Sequence, residues 1–83
     1  MTFYCLQIEF YDYGEIKAAI TERETNIKPK SQYRDSPGLR AFKLWLVNKE
    51  AAYGLLELLK AGEVNIDDIY CLYSERKALS KAA

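Results

Sequence analysis

The chain has 83 residues, of which 49% are apolar and 29% charged, and its 12 basic side chains balance its 12 acidic ones. This length and composition predict one small soluble globular domain. Its core is expected to give only marginal stability unless dimerisation or a cross-link such as a disulfide adds to it. No apolar run approaches the roughly 20 residues of a membrane span, and the first residues lack the pattern of a signal peptide. We therefore expect a cytoplasmic protein.

The sequence contains no histidine, although proteins use this side chain most often as a general base and as a metal ligand. The two cysteines, Cys5 and Cys71, form no CxxC motif and are expected to be buried thiols. The glycines stand alone and form no phosphate-binding or nucleophile motif. We expect a protein that is not an enzyme, with no catalytic residue, metal or cofactor.

The tripeptide Asp12-Tyr13-Gly14 separates two runs in which apolar and polar residues alternate. Alternation with a period of two is typical of strands, and glycine accepts the left-handed conformation that closes a three-residue hairpin loop. The sequence therefore predicts a β-hairpin over 2–24, with strands at about 2–11 and 15–24 joined by a type I turn and a G1 bulge.

This turn fixes a register in which apolar side chains oppose one another on one face of the ribbon. The predicted pairs are Phe10 with Ile16, Ile8 with Ala18, and Leu6 with Ile20. On the reverse face Glu9 opposes Lys17, an opposite-charge pair that suits a solvated surface.

Residues 25–38 are predicted to form a long basic loop, since the Ser36-Pro37-Gly38 run and an earlier proline interrupt any regular pattern. The alternating run that follows predicts a strand over 39–47. Phe42 and Trp45 lie on opposite faces of this strand.

An amphipathic helix is predicted over 49–61, between an N-cap at Asn48 and a C′ glycine at Gly62. These elements predict an α+β fold: an antiparallel sheet of three or four strands that starts with a hairpin, with one helix packed on one face.

The segment 66–80 is compatible with two structures. Apolar residues from Ile66 to Tyr73 fall at helical spacing behind a possible cap at Asn65, yet the run 69–73 is rich in residues that favour strands. We favour a strand at about 67–75, with a helix as the alternative.

The stretch Leu44 to Ser74, which contains the run from Leu55 to Tyr70, resembles the strand-helix-strand half of an ACT-type regulatory domain. This resemblance implies a strand after Ile66 and a small-ligand sensor. The hairpin residues Phe10 to Gly14, with Lys17-Ala18-Ala19-Ile20, are similar to those that open small prophage and mobile-element proteins of gut bacteria. That second resemblance implies a mobile-element setting and no particular activity.

The basic loop is the first candidate binding surface, because loops on a rigid scaffold often carry binding residues. Residues 28–43 carry five basic side chains and one acidic one, and include a tyrosine ring that suits stacking. The candidate partner-binding residues are Lys28, Lys30, Tyr33, Arg34, Arg40 and Lys43.

The second candidate is an aromatic face of the sheet, because one helix covers only one side of it. The side chains predicted on the other side are Phe3, Cys5, Tyr11 and Trp45. The C-terminal segment, a second copy or a different protein would each provide cover, and we expect a homodimer with these residues at its interface.

These observations predict a non-enzymatic binding protein that acts by occupying a macromolecular partner through one of the two surfaces. With the mobile-element resemblance, the prediction extends to an inhibitor of a host complex. A small-ligand sensor is one alternative. A nucleic-acid-binding module that uses the basic loop is the other, and the zero net charge disfavours it. We expect no membrane partner.

Overall fold

A computed structural model describes the backbone of residues 1–82 and the side chains of residues 1–75. The elements follow the order β1 (Thr2–Tyr11), β2 (Ile16–Glu24), β3 (Gln32–Ser36), β4 (Leu39–Leu46), α1 (Lys49–Lys60) and α2 (Ile66–Ala82). The strands form one antiparallel sheet in the order β2-β1-β4-β3. The α+β prediction is confirmed, with two helices within residues 1–82 where one was predicted.

The hairpin of β1 and β2 forms in the predicted register. Phe10 pairs with Ile16, and Glu9 with Lys17. Gly14 has a φ of 96°, and its N–H donates to the carbonyl oxygen of Tyr11 at 2.9 Å. Turn chemistry and apolar pairing specify the same register, so no tertiary contact is needed to choose it.

The predicted loop over 25–38 is wrong in its second half, where β3 forms. Pro37 and Gly38 make a two-residue turn between β3 and β4, with Ser36 paired to Leu39. Gly38 has a φ of 79°, which is the value a type II turn requires after proline. The irregular connection is therefore residues 25–31 only, and it joins β2 and β3 at opposite edges of the sheet.

The predicted caps of α1 are confirmed. The side chain of Asn48 accepts a hydrogen bond from the Ala51 N–H at 3.0 Å. Gly62 has a φ of 72°, and the Glu63 N–H donates to the Leu58 carbonyl oxygen at 3.0 Å. This bond belongs to a Schellman motif, which ends the helix by satisfying carbonyl groups of its last turn.

The strand predicted over 67–75 is wrong, because this segment lies in α2. The Asp68 N–H donates to Oδ1 of Asn65 at 3.0 Å, and the Asn65 N–H donates to Oδ2 of Asp68 at 3.1 Å. This reciprocal capping satisfies two N–H groups at the start of the helix. Helical spacing also lets Ile69 be fully buried. The side chains of Arg76, Lys77 and Lys81 lie outside the described residues.

Both helices pack on the same side of the sheet. Nine buried residues form the core between the layers: Leu6, Ile8, Phe42, Leu44, Leu46, Ala52, Leu56, Leu59 and Ile69. An aromatic cluster joins α2 to β3 and β4, with the Tyr33 ring centroid 4.7 Å from that of Phe42 and 5.3 Å from that of Tyr70. Neither α1 nor α2 has the length and apolar character required to cross a membrane.

The turn between β3 and β4 gives the first test. Gly38→Ala places a Cβ on a residue with positive φ and is expected to lower the free energy of unfolding by about 1 kcal/mol. Gly54→Ala is the matched control, because Gly54 lies inside α1 with nothing within 4 Å of an added Cβ, and it is expected to raise stability by up to about 1 kcal/mol. Urea unfolding measures both changes, and equal effects at the two glycines would contradict the turn.

Candidate binding surface

The side of the sheet opposite the helices, here called the open face, is the candidate functional surface. Strand side chains alternate between the two faces, and Leu6, Ile8 and Phe42 fix which alternate residues point into the core. The open face therefore receives the odd-numbered residues of β1, β2 and β4 and the even-numbered residues of β3. Trp45 lies on it beside Cys5, as predicted.

Basic side chains predominate among the charged residues of the open face. Four cationic residues contribute from three strands, and all four are exposed: Lys17, Arg23, Arg34 and Lys43. Glu9 is the one acidic strand residue on this face, and it is half-buried. Just before β2, Oε1 of Glu15 lies 3.9 Å from Nζ of Lys17. The other acidic strand residues, Glu22, Glu24 and Asp35, project on the helix side. The sheet thus separates most of its charges by face, and Arg40 is the one cationic strand residue on the helix side.

Arg34 and Lys43 lie close together on neighbouring strands. Lys43 pairs with Gln32, and Arg34 pairs with Ala41, which lies two residues before Lys43 on β4. These four residues line a shallow depression of about 190 Å³. Two cationic groups and an amide in one depression present hydrogen-bond donors to an anionic or carbonyl-bearing partner.

At one end of the open face the side chains are buried within the chain. Phe3 and Cys5 have only 3% and 1% of their surface exposed, and Trp45 is half-buried. The Trp45 backbone N–H donates to Oγ of Ser31 at 3.2 Å, which attaches the 25–31 connection to β4. The predicted interface therefore needs correction: Phe3 and Cys5 contribute almost no accessible surface, while Tyr11 and Trp45 keep part of theirs.

Burial raises the pKa of the Cys5 thiol, an effect that Lys43 and hydrogen bonds with Gln7 and Thr21 oppose. Desolvation disfavours the thiolate, and only the thiolate is reactive. Cys5 is therefore a packing residue in this surface. The prediction of a second buried thiol is wrong, because Cys71 is exposed.

Tyr11 lies at the other end of the open face, next to the hairpin turn. Its ring stacks on Tyr13 at a centroid distance of 5.3 Å, and Nζ of Lys17 lies 5.4 Å from the Tyr11 ring centroid. The Tyr13 hydroxyl donates to Glu15 at 2.7 Å, and this bond raises the pKa of Tyr13 to about 12. Local contacts thus hold the exposed Tyr13 ring against the half-buried Tyr11 ring.

The residues predicted for the basic loop do not form one cluster. Arg34 and Lys43 lie on the open face, and Lys28 and Lys30 are exposed in the 25–31 connection. Tyr33 and Arg40 lie on the helix side. The prediction of a loop could not assign them to a face, because only a strand places alternate residues on opposite faces. Tyr33 packs in the aromatic cluster, so its ring is not free for stacking on a partner.

Lys17 and Arg23 are members of the open face that the loop-based prediction missed. Both occupy odd positions of β2, on the face that the hairpin register assigned to Lys17. The missing information was the position of β3 and β4 relative to this ribbon. Once β4 pairs with β1, cations distant in sequence lie on one surface.

A separate cleft of about 410 Å³ lies between the hairpin turn and the α1–α2 connection. Arg40 lines it together with apolar Phe10 and Ile66, and the acidic residues Asp12 and Glu15 are also among its lining residues. The lining thus combines both signs of charge and does not select one. The small-ligand sensor stays a prediction.

No family model matches the chain, and no curated protein or solved structure is found to match it. The ACT-type and mobile-element resemblances therefore stay predictions, although the strand that the former implies after Ile66 is replaced by α2. Among the described side chains, no group of three acidic or cysteine residues is placed to hold a metal ion.

The burial at one end of the open face predicts a difference in cysteine reactivity. With iodoacetamide under native conditions, Cys71 is expected to be alkylated promptly because it is exposed. Cys5 is expected to react only when the protein unfolds, because its thiol is buried and burial raises its pKa. Mass spectrometry of peptides separates the two sites, and Cys71→Ser isolates Cys5. Equal rates at both sites in the folded protein would contradict the burial of Cys5.

Proposed function

We propose that this protein is a small non-enzymatic binding protein that occupies an acidic surface of a partner protein with its open face. The separation of charge between the two sides of the sheet carries the proposal. Because the chain has zero net charge, its total charge does not attract an acidic partner. Any such attraction comes from the way the basic and acidic side chains are distributed over the two sides of the sheet. Complementary patches of this kind raise association rates and select partners.

The described part of the helix side carries more acidic than basic side chains. On α1, Lys49 and Lys60 balance Glu50 and Glu57, but Asp67 and Asp68 add negative charge in the first turn of α2. A partner with a negative surface is therefore attracted more strongly to the open face than to the described part of the helix side. This orients the encounter before contact is made.

The composition of the open face also suits a protein partner. Arginine, tryptophan and tyrosine are the residue types that contribute most often to binding energy in protein interfaces. Arg23, Arg34, Tyr11 and Trp45 provide these types at separate places across the open face. Gln7 and Gln32 add exposed amides, which hydrogen-bond to main-chain groups as well as to side chains.

Nucleic acid fits this surface less well. Single strands are held by aromatic rings close enough to stack successive bases. Tyr11 and Trp45 lie at opposite ends of the open face: Trp45 pairs with Cys5, six residues before Tyr11 along β1, which separates them by about 20 Å in a strand. Tyr33, the other ring predicted to stack, packs against α2.

A binding role in place of catalysis is further supported by the absence of histidine from the sequence and by the exposure of the four cationic side chains on this face. An inhibitor that blocks a host complex is the specific form of this function suggested by the mobile-element resemblance.

The proposal is tested with a synthetic peptide of alternating aspartate and glutamate, titrated into the isotope-labelled protein. We expect amide shift changes concentrated in β3 and β4 around Arg34 and Lys43, with an affinity that falls as salt rises. The double variant Arg34→Glu with Lys43→Glu is expected to bind at least about tenfold more weakly, since each reversal replaces an attraction with a repulsion.

The matched control is Lys49→Glu with Lys60→Glu, which makes the same change in net charge on exposed positions of α1. It is expected to leave the affinity nearly unchanged. An equal loss of affinity in both double variants would show that net charge alone is responsible for binding. It would contradict the proposal that the open face is the binding surface. Tighter binding of an oligothymidylate than of the peptide would favour the nucleic-acid alternative.

A further inference from the structure

The outer edge of β2 has main-chain groups that no other strand of the sheet uses. The strand has nine residues and pairs only with β1. The Tyr11 N–H donates to the Glu15 carbonyl and the Thr25 N–H to the Met1 carbonyl, so the odd-numbered residues of β2 face β1 in the hydrogen-bond ladder. The even-numbered residues direct their N–H and C=O groups away from the sheet. From Ile16 to Glu24 these groups form a regular template for another strand.

The opposite edge of the sheet is protected in ways that the β2 edge is not. β3 has only five residues, with Pro29 shortly before it and Pro37 directly after it. Short strands and nearby prolines limit pairing at an edge. β2 contains no proline, no glycine and no interruption of its pairing with β1. From Ile16 to Thr21 its only charged side chain is Lys17, on the open face.

We propose that the edge of β2 is an interface with a second copy of this chain, in which two β2 strands pair antiparallel about a two-fold axis at Ala19. The proposal does not depend on the partner-binding function of the open face. A two-fold pairing uses the same edge in both copies and closes on itself, so it gives a dimer and not a fibre. It also replaces the homodimer predicted through Phe3 and Cys5, which are buried within the chain.

Several registers would place the open faces of both copies on the same side, and the charged side chains favour the one centred on Ala19. With the axis at Ile20, Lys17 of each copy would lie opposite Arg23 of the other, and this repulsion would occur twice. With the axis at Ala19, Arg23 lies opposite Glu15 of the other copy, which is a favourable pair made twice. Axes at Ala18 or Thr21 produce no opposite-charge pair.

The neighbouring pairs in the Ala19 register are also compatible. Ala18 lies opposite Ile20 of the other copy on the helix side, and Lys17 lies opposite Thr21 on the open face. The two sheets join into one sheet of eight strands, because each chain contributes four. Both open faces then lie on the same side, so the dimer presents the basic residues of both copies on one surface.

Disulfide trapping tests both the interface and its register. Ala19→Cys, in a Cys71→Ser background that removes the exposed native thiol, places two thiols directly opposite each other across the axis. Such strand neighbours lie within the roughly 4.4–6.8 Å between Cα atoms that a disulfide bridges. We expect prompt formation of a covalent dimer on mild oxidation, read on a non-reducing gel.

Lys17→Cys in the same background is the matched control, because Lys17 is equally exposed on the same face and pairs with Glu9 within the chain, away from the native Cys5 thiol. In the proposed register the two Lys17 positions are offset by four residues, about 13 Å along the strand, and no covalent dimer is expected. Trapping at position 17 in place of 19 would overturn the register, and no trapping at either position would overturn the interface.

Sedimentation of the unmodified protein provides a measurement without cysteine chemistry. A dimer that dissociates on dilution is expected, and Ala18→Pro is expected to shift it to monomer, because this substitution removes an outward N–H and leaves the ladder with β1 complete. A strict monomer at every concentration would overturn the proposal and leave this edge to a strand of another protein.

Discussion

The alternation of side chains along β1 is the constraint on which the rest of the structure depends. β1 is a central strand with a partner on each edge, so its register positions both β2 and β4. Leu6 and Ile8 are fully buried beneath the helices, and this burial determines which side of the whole sheet is inward. A shift of one residue would move every side chain to the opposite face. The basic open face and the acidic helix side both follow from this single choice.

The hairpin and α1 were predictable because their signals are local and agree with one another. The turn glycine, the apolar pairs and the Glu9–Lys17 pair all specify one register, and Asn48 and Gly62 mark the ends of α1. The second helix was predicted only as the alternative to a strand, because Ile69 to Tyr73 favours a strand by residue type alone. The reciprocal cap between Asn65 and Asp68 and the packing of α2 on the sheet outweigh that propensity.

The candidate surface was only partly predictable for a related reason. Sequence proximity grouped Arg34, Arg40 and Lys43, but residues on a strand alternate between faces. Tyr33 and Arg40 therefore moved to the helix side once β3 formed, and Lys17 joined the open face from a distant strand. The missed turn at Pro37 and Gly38 was the decisive omission, since a proline followed by a glycine is a turn signal that converts a loop into a hairpin.

The position of the Trp45 indole relative to the helices tests the assignment of faces most directly. Nuclear Overhauser contacts in the labelled protein report which side chains lie within a few ångströms of this ring. We expect contacts from the indole to Cys5 and its neighbours on the open face, and contacts from Ile69 to residues of the core. Contacts between the indole and the methyl groups of Leu56 or Leu59 would contradict the assignment, because they would place Trp45 beneath α1.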